Sequence, residues 1–179
     1  MSDETVLGRT ARNDRRSQRS HLAYEPFNNA KNVEISERIY MSVAMSGVSD
    51  GLKVTITHGP SGAQIMTVPP LDNGGDGSSF SPTDLCAASF GACATAVMTL
   101  FARRNQIEIG NISFQLTKDM QAQPRTISVL TANFQIETDC SDEEFQSLID
   151  AGRNCPVRLA LGPLTRVDQV YQRAPRNGK

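Results

Sequence analysis

The stretch 81-SPTDLCAASFGACATAVM-98 decides the fold. Ser81 followed by Pro82, with Asp84 three positions on, reads as a helix start. The serine caps, the proline takes the first helical position, and the carboxylate faces the positive helix end. Leu85, Ala87, Phe90, Ala94, Val97, Met98 and Phe101 then continue an apolar pattern with small residues between them. A helix from about Pro82 to Arg104, apolar nearly all round, is expected to be central and buried on more than one side.

The same stretch holds two of the four cysteines. Seven residues turn a helix through about 700°, so Cys86 and Cys93 share a face but lie ~10 Å apart along the axis. A disulfide needs Cα atoms within about 7 Å, so these two do not bond while the helix is intact. Cys86 reads as a small core residue. The remaining thiols are Cys140, among Asp139, Asp142, Glu143 and Glu144, and Cys155, between Arg153 and Arg158. Acidic neighbours raise a thiol pKa and basic ones lower it, which makes Cys155 the better partner for Cys93.

Upstream, PPLDNGGDGSSFS (69–81) is too rich in Gly, Pro, Asn and Ser for regular structure and reads as a functional or mobile loop. Before it, ERIYMSVAMS, KVTITH and AQIMTV read as three antiparallel strands, with turns at GVSDG and GPSG. Downstream, NISFQLTKDM and TISVLTANFQIE are strands joined around QAQPR. Ser141 with Glu144 repeats the capping signature and opens a helix to about Asn154; Pro156 starts a further short turn, and TRVDQVYQ is a last strand. The order β-β-β-α-β-β-α-β defines an α+β domain with an antiparallel sheet and a long central helix.

Across 179 residues, 18 Lys and Arg balance 19 Asp and Glu, so no overall field attracts nucleic acid or an anionic membrane. Residues 1–35 read as a disordered or loosely docked N-terminal extension. RTARNDRRSQRS carries five Arg without interleaved aromatics, a solvated tail more than a nucleic-acid arm. Residues 174–179 read as a flexible C-terminal tail. No run of ~18 consecutive apolar residues is present, and Asp3 and Glu4 open the chain without a hydrophobic region behind them. A cytoplasmic protein without membrane contact is expected. The absence of CxxC pairs, with only His21 and His58, fits neither a zinc ribbon nor a secreted disulfide scaffold.

SPTDLCAASFGACATAVM followed some 60 residues later by NCPVRLAL resembles the OsmC/Ohr family of osmotically inducible and organic hydroperoxide resistance proteins. The resemblance covers about residues 36–173 and includes the GPSG turn and the DNGGDG loop. It implies an intertwined homodimer with sites at the subunit interface, no cofactor or metal, and reduction of organic or inorganic hydroperoxides. Carried over, Cys93 attacks the peroxide and becomes a sulfenic acid, Cys155 resolves it as a disulfide, and a dithiol or a lipoylated protein restores both thiols. A non-catalytic dimer holding a small apolar or thiol ligand between its subunits is the alternative.

Two positions depart from the family pattern. Peroxidatic members place a Glu ten residues before the first cysteine and an Arg near the first β-turn. Here those positions hold Thr83 and, on alignment of MSGVSDG, Ser49. Asp84 is one residue off, and nine residues turn it roughly opposite Cys93, which fits a helix-cap carboxylate. Arg38 or Lys53 is left to supply a cation from a strand. Thr83, Asp84 and Arg38 are carried forward as substrate-binding candidates.

Overall fold

The computed structural model describes residues 42–163 and 165–176, which belong to one compact unit. Residues 1–35, the domain start at 36–41 with Arg38, and the last residues of the C-terminal tail lie outside them. The elements run β1 (Met45–Asp50), β2 (Lys53–His58), β3 (Gln64–Thr67), a 3-10 turn (Leu71–Asn73), α1 (Pro82–Arg104), β4 (Ile112–Ala122), β5 (Arg125–Glu137), α2 (Asp142–Arg153), α3 (Pro156–Ala160) and β6 (Arg166–Ala174). The expected order is observed, in two three-stranded sheets, β1-β2-β3 and β4-β5-β6.

The first hairpin and the second sheet differ from the sequence reading. GVSDG is mostly strand: Gly47 to Asp50 pair with Lys53 to Ile56, and the chain reverses over Gly51 and Leu52. Gly51 has φ +57, and that left-handed residue makes a two-residue hairpin loop possible without the residues before it. Ser49 therefore sits in a strand, opposite Val54. The second sheet is mixed, not antiparallel throughout. β4 and β5 form an antiparallel hairpin, but α2 and α3 carry the chain back across the sheet, so β6 enters alongside β5 in parallel.

The core lies between α1 and the second sheet. Period-two alternation along β5 buries Ile127, Leu130, Ala132, Phe134 and Ile136, and the matching stripe of α1 buries Ala87, Phe90, Gly91, Ala94, Met98 and Ala102. Phe134 meets Phe90 edge-on at 6.3 Å between ring centres and stacks on Tyr171 of β6 at 5.0 Å. By length and composition α1 is able to cross a membrane, with a window of mean hydropathy 1.8, but its buried stripe is the heart of this core.

Burial of α1 on more than one side is not met within one chain. Cys86, Ser89, Ala92, Ala96 and Leu100 are exposed along the face opposite the core. Cys86 is thus no core residue. The sheet β1-β2-β3 is likewise open, with Met45, Val48 and Ile65 at least half exposed.

The start of α1 is fixed by a complete capping box. The Ser81 hydroxyl accepts from the Asp84 N–H at 3.1 Å, and the Asp84 carboxylate accepts from the Ser81 N–H at 2.7 Å. Ser81 is 2% exposed, so its lost partners are not replaced by water. Ser81→Ala is expected to cost about 1–2 kcal/mol, read as a lower urea midpoint with an unchanged slope.

Candidate functional site

Cys93 lies halfway along α1, partly buried, at the edge between its core stripe and its exposed face. Cys155 is the N-cap of α3 and is fully buried. Both thiols are free, and they belong to the same core cluster and interact electrostatically although 62 residues separate them in the chain. The fold achieves this by packing α2 and α3 against α1: Cys155 closes the α2–α3 turn, with its N–H bonded to Gly152, and Pro156 redirects the chain.

The polarity around Cys155 differs from the expectation that Arg153 or Arg158 would favour its thiolate. Burial pushes the Cys155 thiol up, and the neighbouring Cys93 side chain acts in the same direction. The opposing influence comes from the backbone N–H groups of Arg158 and Val157, not from a guanidinium. Arg153 is held 5.7 Å over the Tyr171 ring and 3.8 Å from Asp150. Cys155 is thus kept as a protonated thiol, suited to resolving and not to attacking.

Tyr171 is pushed up to about 12, first by burial, with the charges of Cys155 and Asp150 opposing Arg153. Both raised groups give the same sign of linkage. The unfolded thiol and phenol lose their protons first, so the folded state binds more protons and its advantage shrinks as pH rises. Stability is expected to be intact below about pH 8.5, the free-thiol value, and to fall progressively toward pH 12. Urea midpoints of the reduced protein between pH 7 and 10.5 measure it, and Cys155→Ala should flatten the decline. A midpoint rising with pH would contradict it.

The other predicted residues fall into two groups. Thr83 is at the open end of the Cys86 and Cys93 face, and its hydroxyl accepts from Lys118 Nζ at 2.8 Å. Asp84 stands nine residues, or about 900°, before Cys93 on the helix, and its carboxylate receives the same Lys118 Nζ at 3.0 Å in addition to its capping bonds. Burial works against the Asp84 anion, but the hydrogen bonds from Ser81 and Lys118 prevail and hold its carboxyl below the usual range. The structure therefore supports the helix-cap role of Asp84. Lys53 pairs with Asp76 at 2.9 Å.

Two cavities flank α1. On the Asp84 side, one of about 700 Å³ is lined by Ser78, Ser79, Phe80, Phe114, Leu116 and Lys118, among others. On the Cys86 side, one of about 450 Å³ is bounded by Thr83 and Cys86 of α1, Met120 of β4, Arg125, Thr126 and Ile127 of β5, and Ala160 and Leu161 at the end of α3. The smaller cavity bears on the thiols. Its walls Ile127, Met120 and Leu161 belong to the same core cluster as Cys93 and Cys155, and Ala160 is the last residue of the helix that Cys155 caps.

Sequence reasoning missed Lys118 and Arg125. Lys118 had a readable signal, because Leu116, Lys118 and Met120 share the inward face of β4, and a lysine on such a face needs a partner. Arg125 is the first residue of β5, directly after Pro124 of the hairpin turn, where no periodicity points to it. Cys140 is partly buried against a second small cluster with Leu148, remote in the fold from the pair. Among the described residues no group of His, Cys, Asp and Glu could hold a metal.

A family model for OsmC-like proteins matches residues 75–168, which include both motifs and all the residues of the smaller cavity. No curated protein matches the chain in sequence. Among solved structures, a candidate osmotic stress induced and detoxification response protein from Psychrobacter arcticus is 27% identical, with a TM-score of 0.68 over 74% of this chain and 99% of its own. An organic hydroperoxide resistance protein OsmC from Legionella pneumophila (18% identity, TM-score 0.60) covers 74% of this chain and 98% of its own. OhrB of Bacillus subtilis, an organic hydroperoxide resistance protein (21% identity, TM-score 0.55), covers the same shares. The last two share the fold. With its long capped helix, its NCPVRLAL turn and more than half its length matched, the chain belongs to the OsmC-like protein family.

Proposed function

We propose that this protein is a dimeric, cytoplasmic, thiol-dependent hydroperoxide reductase in which Cys93 attacks and Cys155 resolves. The observation that carries the reading is the adjacency of two free thiols of unequal burial, one reachable and one protonated and enclosed. The hydroperoxide resistance proteins with the same fold support it.

The chemistry balances in three steps. The Cys93 thiolate takes the terminal oxygen of ROOH, forming Cys93–SOH and releasing RO⁻, which is protonated to ROH. The Cys155 thiol then displaces water from the sulfenic acid and a Cys93–Cys155 disulfide forms. An external dithiol, free or carried as lipoyl on a protein, reduces it by exchange and leaves as its own disulfide. Because sulfenic acid advances irreversibly when unresolved, a resolving thiol already in contact protects the enzyme.

The dimer is supported by what a single chain leaves uncovered: the small-residue face of α1 with Leu100, and the open sheet β1-β2-β3 with its exposed Met45, Val48 and Ile65. Light scattering at micromolar concentration should give twice the chain mass.

The test is turnover: purified protein with cumene hydroperoxide and a dithiol should consume peroxide at a rate proportional to enzyme. The apolar wall of Met120, Ile127 and Leu161 also fits a second reading, a non-catalytic dimer that stores a small apolar or thiol ligand. No turnover, with a ligand retained equally by Cys93→Ser, would favour that reading.

A further inference from the structure

We infer that Gly152 and Tyr171 are the positioning pair for the resolving thiol: the tyrosine hydroxyl and Met98 clamp the last turn of α2 at its glycine, and so set how closely Cys155 is presented to Cys93. The inference deepens the peroxidase reading, from which it takes the resolving role of Cys155, and its geometry is also tested without peroxide.

The turn that carries Cys155 is weakly held by its own backbone. The bonds from Asn154 N–H to Ala151 and from Cys155 N–H to Gly152 are both long, at 3.3 Å, and the Cys155 side chain makes no capping bond to α3. Tertiary contacts supply the rest, and they converge on the buried Gly152. A β-carbon built there would lie 3.0 Å from Cγ and Sδ of Met98 and 3.3 Å from the Tyr171 hydroxyl, closer than the ~3.5–4.0 Å of an ordinary carbon contact. Helix α1 and strand β6 therefore grip the α2 backbone with no space for a methyl group.

Neither jaw is loose. Met98 is fully buried, and Tyr171 stacks on Phe134 at 5.0 Å with 10° between the rings while its hydroxyl donates to Gln169. One residue on, the Arg153 guanidinium lies 5.7 Å over the same tyrosine ring and 3.8 Å from Asp150. Two successive residues of the turn thus rest on Tyr171.

Spacing matters because closure is a displacement between two sulfurs. The Cys155 sulfur bonds to the Cys93 sulfur as the Cys93 S–O bond breaks, and the departing hydroxide takes the Cys155 proton and leaves as water. A misplacement of about 1 Å slows such a step on the order of a hundredfold. Attack of Cys93 on the peroxide does not pass through Gly152.

The experiment follows both steps in wild type, Gly152→Ala, Tyr171→Phe and the double variant. Stopped-flow peroxide consumption reads the first step, decay of dimedone-trappable sulfenic acid reads closure, and urea midpoints accompany both. Gly152→Ala should leave the first step within about twofold, slow closure about ten- to a hundredfold and raise the over-oxidised fraction of Cys93. Alanine favours a helix over glycine, so this defect is not a melting of α2. Tyr171→Phe keeps the stacked ring and removes the hydroxyl, which makes room for the methyl; on that background Gly152→Ala should cost at least about threefold less in closure rate. Unchanged closure in Gly152→Ala, both steps slowed alike, or the same cost on both backgrounds would overturn the pair and leave the peroxidase reading standing. Equilibration of the Cys93 and Cys155 thiols with reduced and oxidised dithiothreitol judges the geometry without peroxide. Gly152→Ala should shift that balance toward the free thiols by about tenfold. An unchanged balance, or no disulfide in wild type, removes the pair. If wild type consumes no peroxide, the peroxidase reading fails, and the dithiothreitol balance alone upholds or removes the clamp.

Discussion

Cys93→Ser is expected to abolish hydroperoxide consumption, by at least about a thousandfold, while the protein keeps its fold. A serine hydroxyl stays protonated across the working pH range and is a poor nucleophile toward an O–O bond, so attack and sulfenic acid formation are both lost. The fold is expected to survive because Cys93 lies at the rim of the core, not inside it, and serine is nearly isosteric. Cys155→Ser should behave differently. The first peroxide is still reduced, but turnover stops at the sulfenic acid, which then over-oxidises. Stopped-flow consumption of one peroxide equivalent, followed by mass measurement of Cys93, separates the two variants. Equal, full turnover in Cys93→Ser would remove this cysteine from the mechanism.

The largest stability effect is expected at Phe134. Its side chain is fully buried in β5, between Phe90 of α1, the tilted ring of Phe114 at 5.9 Å and the stacked ring of Tyr171. It thus joins the helix to both neighbouring strands. Phe134→Ala removes the transfer energy of the ring and leaves a cavity that three aromatic neighbours cannot close together, a cost of about 3–5 kcal/mol. Denaturant unfolding measures it. Because native stabilities are themselves only about 5–15 kcal/mol, the variant should be partly unfolded or aggregation-prone at 37 °C. A loss below about 1 kcal/mol would mean that Phe134 is not the keystone of this core.

Much of the architecture was legible because local signals agreed with the global fold. Ser81, Pro82 and Asp84 set the start of α1 by backbone chemistry alone, and Ser141 with Glu144 did the same for α2. The first hairpin was less legible. Gly47, Ser49 and Asp50 have turn-like composition, yet pairing with Lys53 to Ile56 makes them strand, and a single left-handed Gly51 suffices for the reversal. The direction of β6 is not written in its own residues; it follows from α2 and α3 crossing back over the sheet.

The site shows the same division. The helix period told that Cys86 and Cys93 share a face, and the arginines beside Cys155 told that it was the partner to examine. They did not tell that both guanidinium groups would leave its sulfur to backbone N–H groups, because side-chain direction at a helix-to-helix turn depends on packing. Thr83, standing where peroxidatic relatives have a Glu, holds Lys118 from a strand 35 residues away, a contact that only the tertiary fold creates. Exposure of Cys86 has a similar origin. A helix apolar all round reads as buried all round, and one chain covers only one side of it.

The account is tested most directly by peptide mapping of the reduced protein after one equivalent of organic hydroperoxide, without reductant. It predicts one alcohol formed per chain and a single new crosslink joining the Cys93 and Cys155 peptides, with Cys86 and Cys140 still alkylatable. Both thiols recovered free with the peroxide intact, or a crosslink that omits either of them, would contradict it.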